Sequence, residues 1–288
     1  MSRFAQTAIL ARKCVRAVAF LLAAGGLTSV THDAGVFAQT KTGISPIINE
    51  YGLLLGGSRA SQWVSWQSAH ARVRGGEKYR LYSLNGLVSE VRGGPPVLSE
   101  ASRNAYTVKI PERGENDRTP LVGLSCAWNP LPRKAAAISP VQKVYLDAVA
   151  EVLKQHGLTR AAPHINKILR VDLTGKGSDS VVVEAASPGY SVSMDADAKA
   201  RGRDAYSFVM LRTIVQGKVR TYVLDGEFGH KGSEAPSQNF ALANVIDLNG
   251  DGTLEIVVKT SYYEGGGDEV FEIRNGRPKR VLQVEDGV

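Results

Sequence analysis

The hydrophobic positions change period along the chain, and the clearest period lies near its middle. Val141, Val144, Tyr145, Ala148, Val149, Val152 and Leu153 recur at the spacing of one helical face, which predicts an amphipathic helix with a single buried stripe. Ser139 offers an N-cap, Pro140 suits the first helical position, Gln142 completes a capping box, and Gly157 stops the helix after Lys154 and His156. His156 at that end is explained by the helix dipole rather than by catalysis.

Beyond the helix the pattern turns to short β-branched runs separated by polar loops, and it occurs twice. The segment from Ile168 to Val183 aligns with that from Asn244 to Val258, Asp172 falling on Asp247 at an offset of 75 residues. Each copy continues into two apolar segments about a glycine turn. In the first they are Phe208 to Val215 and Val219 to Leu224 around Gln216-Gly217; in the second, Val270 to Ile273 and Val281 to Val284 around Asn275-Gly276. Strand, polar loop, strand, strand, tight turn, strand predicts an antiparallel four-stranded blade in each copy.

Ahead of the helix, residues 39–94 predict a small β-rich domain. Tyr79 to Leu84 and Leu87 to Val91 flank Asn85-Gly86 as a hairpin, and Gln62 to Arg74 is expected as a short helix with Trp63, Trp66 and Ala69 on its core side. Residues 95–138 hold Pro95-Pro96, Pro130, Pro132 and the charged Glu112 to Arg118 stretch, and are expected as an irregular linker or long loop with one strand at Tyr106 to Ile110. The expected fold class is mainly β within α+β: the small N-terminal domain, one amphipathic helix, and two blade-like sheets in residues 139–288.

The first 38 residues pattern differently. Arg3, Arg12, Lys13 and Arg16 precede an apolar run of 11 residues from Ala17 to Leu27, and Val36-Phe37-Ala38 has the small-x-small form of a cleavage site. This predicts a signal peptide over residues 1–38, export to periplasm or exterior, and no stable membrane span after cleavage, since a span takes about 20 apolar residues. Retention as an uncleaved anchor is the alternative.

Removing that leader takes away four basic residues and Asp33, so the net charge falls from +7 to +4. No dense basic run interleaved with aromatics remains, which argues against nucleic acid as a partner. Cys126 is then the only cysteine, so no intrachain disulfide can form, and its apolar neighbours predict burial. An exported chain without disulfides gains from another staple, and a metal ion is one.

The second repeat supplies a candidate. Asp247, Asn249 and Asp251 stand at alternate positions, Gly252 permits a sharp bend, Thr253 offers a backbone carbonyl, and Glu255 closes the loop. Calcium takes about six to eight oxygens, and side chains alternating along a curling loop can converge on one ion. Val258 stands where an EF-hand places its bidentate Glu, so Glu255 must serve instead. In the first copy Lys176 and Ser180 replace Asp251 and Glu255. No metal is expected there, and Lys176 is expected to pair with Asp172 or Asp179.

The run Val245-Ile246-Asp247-Leu248-Asn249-Gly250-Asp251-Gly252-Thr253-Leu254-Glu255-Ile256-Val257-Val258 resembles the FG-GAP/VCBS repeats of integrin-type β-propellers and secreted bacterial proteins. The resemblance covers residues 168–288 and implies Asp247, Asn249, Asp251, Thr253 and Glu255 as Ca²⁺ ligands. It departs in offering two blades where a closed propeller needs more. The whole chain also resembles uncharacterised exported bacterial proteins with such a repeat pair at the C-terminus, which implies no activity.

No metalloprotease, nucleophile-elbow or phosphate-loop motif is present, and His70, His164 and His230 are isolated in sequence. No catalytic or organic-cofactor residue is assigned. Gly265-Gly266-Gly267 is expected as a flexible hairpin loop, and Tyr262-Tyr263 beside Glu264 could stack on a sugar or peptide. The sequence points to an exported non-catalytic binding or structural module with a protein or carbohydrate ligand. The alternative is a secreted hydrolase or polysaccharide-acting enzyme using the repeats as scaffold.

Overall fold

A computed structural model describes residues 43–287 apart from 102–103, 115–116, 118, 191–203 and 233–237. The expected signal segment lies outside the described residues.

The N-terminal part is a six-stranded antiparallel sheet. Its strands are β1 (Ser45–Asn49), β2 (Leu54–Arg59), β3 (Gln62–Ser65), β4 (Lys78–Ser83), β5 (Gly86–Arg92) and β8 (Val122–Leu124), in the order β3-β2-β1-β8-β4-β5. A two-stranded ribbon of β6 (Pro96–Leu98) and β7 (Tyr106–Val108) lies between β5 and β8 in sequence. Two expectations are corrected here. Gln62–Ser65 is not helical; it is an edge strand on β2, with Trp63 opposite Ser58 and Val64 opposite Gly57, and only Trp66–Ala69 forms a helical turn, α1. The pairing outweighs a helical spacing built on Trp63, Trp66 and Ala69, since tryptophan and the intervening Val64 also favour strands. Within the stretch read as irregular, Val122–Leu124 is fully buried and sits between β1 and β4. Three residues are too short a run to announce a central strand.

The helix α2 spans Lys143–Gln155. It starts later than the capping residues imply: Gln142 is the N-cap without a side-chain bond, and Val141 and Val144 are exposed. Its working face is Val149, Val152 and Leu153, which pack with Ile168, Val183, Phe208 and Met210. Burial of each such side chain is worth about 1.5–3 kcal/mol. Gly157 at φ +79° ends the helix, and the Leu158 amide donates to the Leu153 carbonyl, as a glycine stop requires.

The two repeats form two antiparallel meanders. The first comprises β10 (Ile165–Val171), β11 (Ser180–Ala186), β12 (Ala205–Val215) and β13 (Lys218–Gly229), extended at the β10 edge by β9 (Ala136–Ala137). The second comprises β14 (Asn239–Ile246), β15 (Glu255–Tyr262), β16 (Gly265–Arg274) and β17 (Arg277–Gly287). Gln216 and Asn275 both take φ +52°, each followed by a glycine at +73°, the two-residue turn whose twist suits a hairpin.

The second meander is the middle layer. Ile246, Val257, Val270 and Leu282 face the N-terminal sheet, packing with Leu55, Tyr82 and Val122. Leu242, Ile256, Val258 and Phe271 face the first meander, packing with Val171, Val182 and Leu211. A sheet covered on both sides needs apolar residues on both, which is why Ile256-Val257-Val258 does not alternate with polar residues. The architecture is mainly β, with four antiparallel sheets.

Candidate metal centre

The loop between β14 and β15 starts from the last buried residue of one strand and ends on the first of the next. Leu248 and Leu254 are fully buried on opposite sides, one in each inter-sheet core. Gly250 and Gly252 take φ +77° and +81°, which lets the chain curl tightly enough to bring side chains back on its own amides. Asp247 Oδ1 accepts from the Gly250 amide at 2.7 Å and Oδ2 from Gly252 at 3.0 Å. Asn249 Oδ1 accepts from Asp251, and Asp251 Oδ1 accepts from Thr253. Asp247, Asn249 and Glu255 are buried, whereas Asp251 faces solvent.

Glu255 is the unusual member. Its side chain is fully buried; Oε2 accepts from the Leu248 amide at 2.8 Å, and Oε1 has no hydrogen-bond partner among the described residues. Burial pushes its carboxyl up to about 9, and the charges of Asp247, Asp251 and Glu272 push the same way against the single Leu248 amide. Burial also raises Asp247, with the Gly250 and Gly252 amides opposing and Asp251 adding repulsion. A buried carboxylate with one idle oxygen beside two further carboxylates is costly unless a proton or a cation sits there.

The donor set fits a hard cation in kind. Asp247, Asn249, Asp251 and Glu255 carry the oxygens calcium prefers, and a carboxylate oxygen already accepting an amide keeps a lone pair for an ion. In this conformation the carboxylates do not converge, and no group of three or more His, Cys, Asp or Glu residues able to hold a metal occurs among the described residues.

The first-repeat loop has the same backbone without the buried acid. Asp172 accepts from the amides of Thr174 and Gly175 through Oδ1 and of Gly177 through Oδ2 at 2.6 Å. Although desolvation opposes it, those amides hold Asp172 below the usual carboxylate range. Ser180, where Glu255 stands in the other copy, bonds Thr213 instead. Asp179 pairs with Arg170 at 3.5 Å rather than with Lys176.

Residues the sequence did not single out hold both loops. Arg133 donates to the carbonyls of Asp172 at 2.6 Å, Leu173 at 2.9 Å and Gly252 at 2.6 Å. Trp128 Nε1 donates to the Asp247 carbonyl, the Asp247 amide donates to the Pro130 carbonyl, and Ser58 donates to Leu248. No spacing or motif marks Arg133, because its partners are backbone oxygens supplied by the fold.

The other candidates are occupied by packing. His70 stacks on Tyr106, His156 stacks on Phe228 at 3.7 Å, and His164 Nδ1 lies 3.1 Å from the Ala186 carbonyl. Cys126 is buried, and burial pushes its thiol up to about 11 despite the neighbouring Arg80 guanidinium. Gly265-Gly266-Gly267 is not a flexible loop: it opens β16 and pairs on both sides, with Gly267 opposite Thr260 and Glu285. A Cβ on Gly267 would lie 2.3 Å from the Val284 carbonyl, so close backbone approach fixes the glycines. Tyr263 is exposed and Tyr262 half-buried.

A buried charge cluster also escaped the sequence. Lys259 Nζ meets Glu50 Oε1 at 2.7 Å, Asn49 donates to Asp268 at 2.8 Å, and burial pushes Asp268 up to about 7 although Lys259 pulls it down. It joins the N-terminal and middle sheets beside a cleft of about 400 Å³.

Among the described residues no helix is long and apolar enough to cross a membrane. Compared with protein-family models, with curated proteins and with solved structures, the chain gives no significant match.

Proposed function

We propose that the protein is an exported, non-catalytic binding or structural module whose middle sheet is pinned by one Ca²⁺ in the Asp247–Glu255 loop. The observation that carries this reading is the buried Oε1 of Glu255, without a hydrogen-bond partner among the described residues, in a carboxyl that also feels the charges of Asp247 and Asp251 in the same loop. Asp247, Asn249, Asp251 and Glu255 would hold the ion through side chains, and Thr253 through its carbonyl. The ion would supply positive charge where the fold buries the Glu255 carboxyl beside further acid. The likeness of the loop to FG-GAP/VCBS repeats supports the same assignment. A protein or carbohydrate ligand is the expected partner, with the half-buried Tyr262 and exposed Tyr263 as a contact.

At the affinity of extracellular calcium modules, on the order of 0.1–1 mM, 1 mM calcium adds about 0.4–1.4 kcal/mol. For a domain of this size that raises Tm by roughly 1–5 °C. Thermal unfolding with EDTA and with millimolar calcium, on wild type and Asp251→Ala, tests it. The reading expects a calcium-dependent rise in the wild type only; equal midpoints in all four samples remove the metal.

A further inference from the structure

The β12–β13 and β16–β17 turns lie side by side. A Cβ placed on Gly276 would come within 2.8 Å of Val215 Cγ2, so the second turn leans on the first through a glycine. Between and beneath them is a cleft of about 680 Å³ lined by Val215, Gln216, Thr221, Tyr222, Asn275 and three arginines, Arg220, Arg274 and Arg277. No described residue of the lining is acidic.

Gathering guanidinium groups without countercharge is unfavourable, and repulsion at separations of several ångströms is not fully screened at physiological salt. Arg274 has a partner, Glu272 Oε1 at 2.5 Å. The ion pairs among the described residues include none for Arg220 or Arg277. Three guanidiniums against one carboxylate leave two positive charges facing the cleft. Lys218 and Lys279 lie on the same strands, whereas Arg280 is engaged with Glu269.

We propose that this cleft binds a phosphate monoester carried on a small polar molecule. A phosphate monoester has a charge of about −1.5 to −2 at neutral pH and three acceptor oxygens, which matches the two uncompensated guanidiniums and their fork-shaped donors. The cleft is far larger than a phosphate, and Gln216, Asn275, Thr221 and Tyr222 line the remainder with groups that hydrogen-bond hydroxyls. A sugar phosphate fits both parts. The repeat accounts for the site, because two equivalent turns from successive copies form its rim. It goes beyond the calcium reading and uses none of the calcium loop's side chains.

The test is a titration of the ¹⁵N-labelled protein, in EDTA so that calcium plays no part, with inorganic phosphate, glucose 6-phosphate and glucose. Saturable shifts confined to residues 215–222 and 274–277 are expected with both phosphates and not with glucose. Tighter binding of glucose 6-phosphate identifies a carried phosphate, and tighter binding of inorganic phosphate identifies the free ion. Arg220→Gln and Arg277→Gln should each weaken binding about tenfold or more while leaving shifts elsewhere and Tm unchanged, since both side chains lie at the surface. Absence of saturable shifts, or shifts spread equally to Arg59 and Arg92 with unaltered affinity in both variants, overturns the proposal.

Discussion

Arg133 donates to the carbonyl of Gly252 at 2.6 Å, and the same guanidinium holds the Asp172 and Leu173 carbonyls of the other repeat. One side chain from outside both repeats therefore ties their loops together. The Leu254 amide completes the tie by donating to the Leu173 carbonyl.

Removing the guanidinium leaves three carbonyls without their charged donor in a half-buried position. Hydrogen bonds to charged groups are worth about 1.5–3 kcal/mol each and are not additive, so Arg133→Ala should lose about 2–4 kcal/mol in urea unfolding. Arg133→Lys should recover less than half, because an ammonium cannot reproduce the fork.

Trp128 packs against the Asp247–Glu255 loop and donates to the Asp247 carbonyl. A methyl on Gly250 would lie 3.0 Å from the Trp128 ring at φ +77°, whereas one on Gly177 at φ +76° would meet nothing within 4 Å. Both substitutions to alanine incur the left-handed backbone penalty of about 1–2 kcal/mol. Gly250→Ala should therefore be the more destabilising in thermal unfolding, and Trp128→Ala should erase the difference.

These two contacts mark where the sequence stops being informative. The repeat, its turns and the order of its strands were legible because each depends on local chemistry: β-branched runs, and glycine at the positive φ of Gly217 and Gly276. The Asp247–Glu255 loop was legible for the same reason. Val122–Leu124 and Arg133 were not, since one becomes a strand and the other a clamp only through residues distant in the chain. The burial of Lys259, Glu50 and Asp268 was hidden likewise, because charged residues on a strand ordinarily face water. At α2 the capping residues were present, yet the helix starts at Lys143 with Val141 and Val144 exposed, so propensity alone did not set its N-terminus.

Glu269 gives the fold a pH dependence. It is buried on β16, facing Asp225 of β13 and Arg280 of β17; burial pushes its carboxyl up to about 8, and Asp225 adds to this against Arg280. A carboxyl raised in the folded state binds its proton more tightly there than when unfolded. Its stabilising effect is complete below the unfolded value near 4.5 and is lost as pH rises through about 8. Wild-type Tm should fall across that window, and Glu269→Gln should make the fall shallower, the remainder coming from the raised Glu255 and Asp268 carboxyls.

Glu255→Gln separates the proposed calcium site from the fold. The amide keeps the shape and an oxygen for the Leu248 amide and removes the buried charge that Asp247, Asp251 and Glu272 oppose. In EDTA this variant should be at least as stable as wild type, and calcium should no longer raise its Tm. A variant that remains calcium-responsive would assign the ion to other ligands.

The most direct measurement is a calcium titration of the ¹⁵N-labelled, EDTA-stripped protein, following the Gly250 and Gly252 amides that now donate to Asp247. Both should move saturably with one site at about 0.1–1 mM, and neither should move in Asp251→Ala. Amides that stay in place up to about 10 mM calcium, well beyond the range of such modules, would contradict the account.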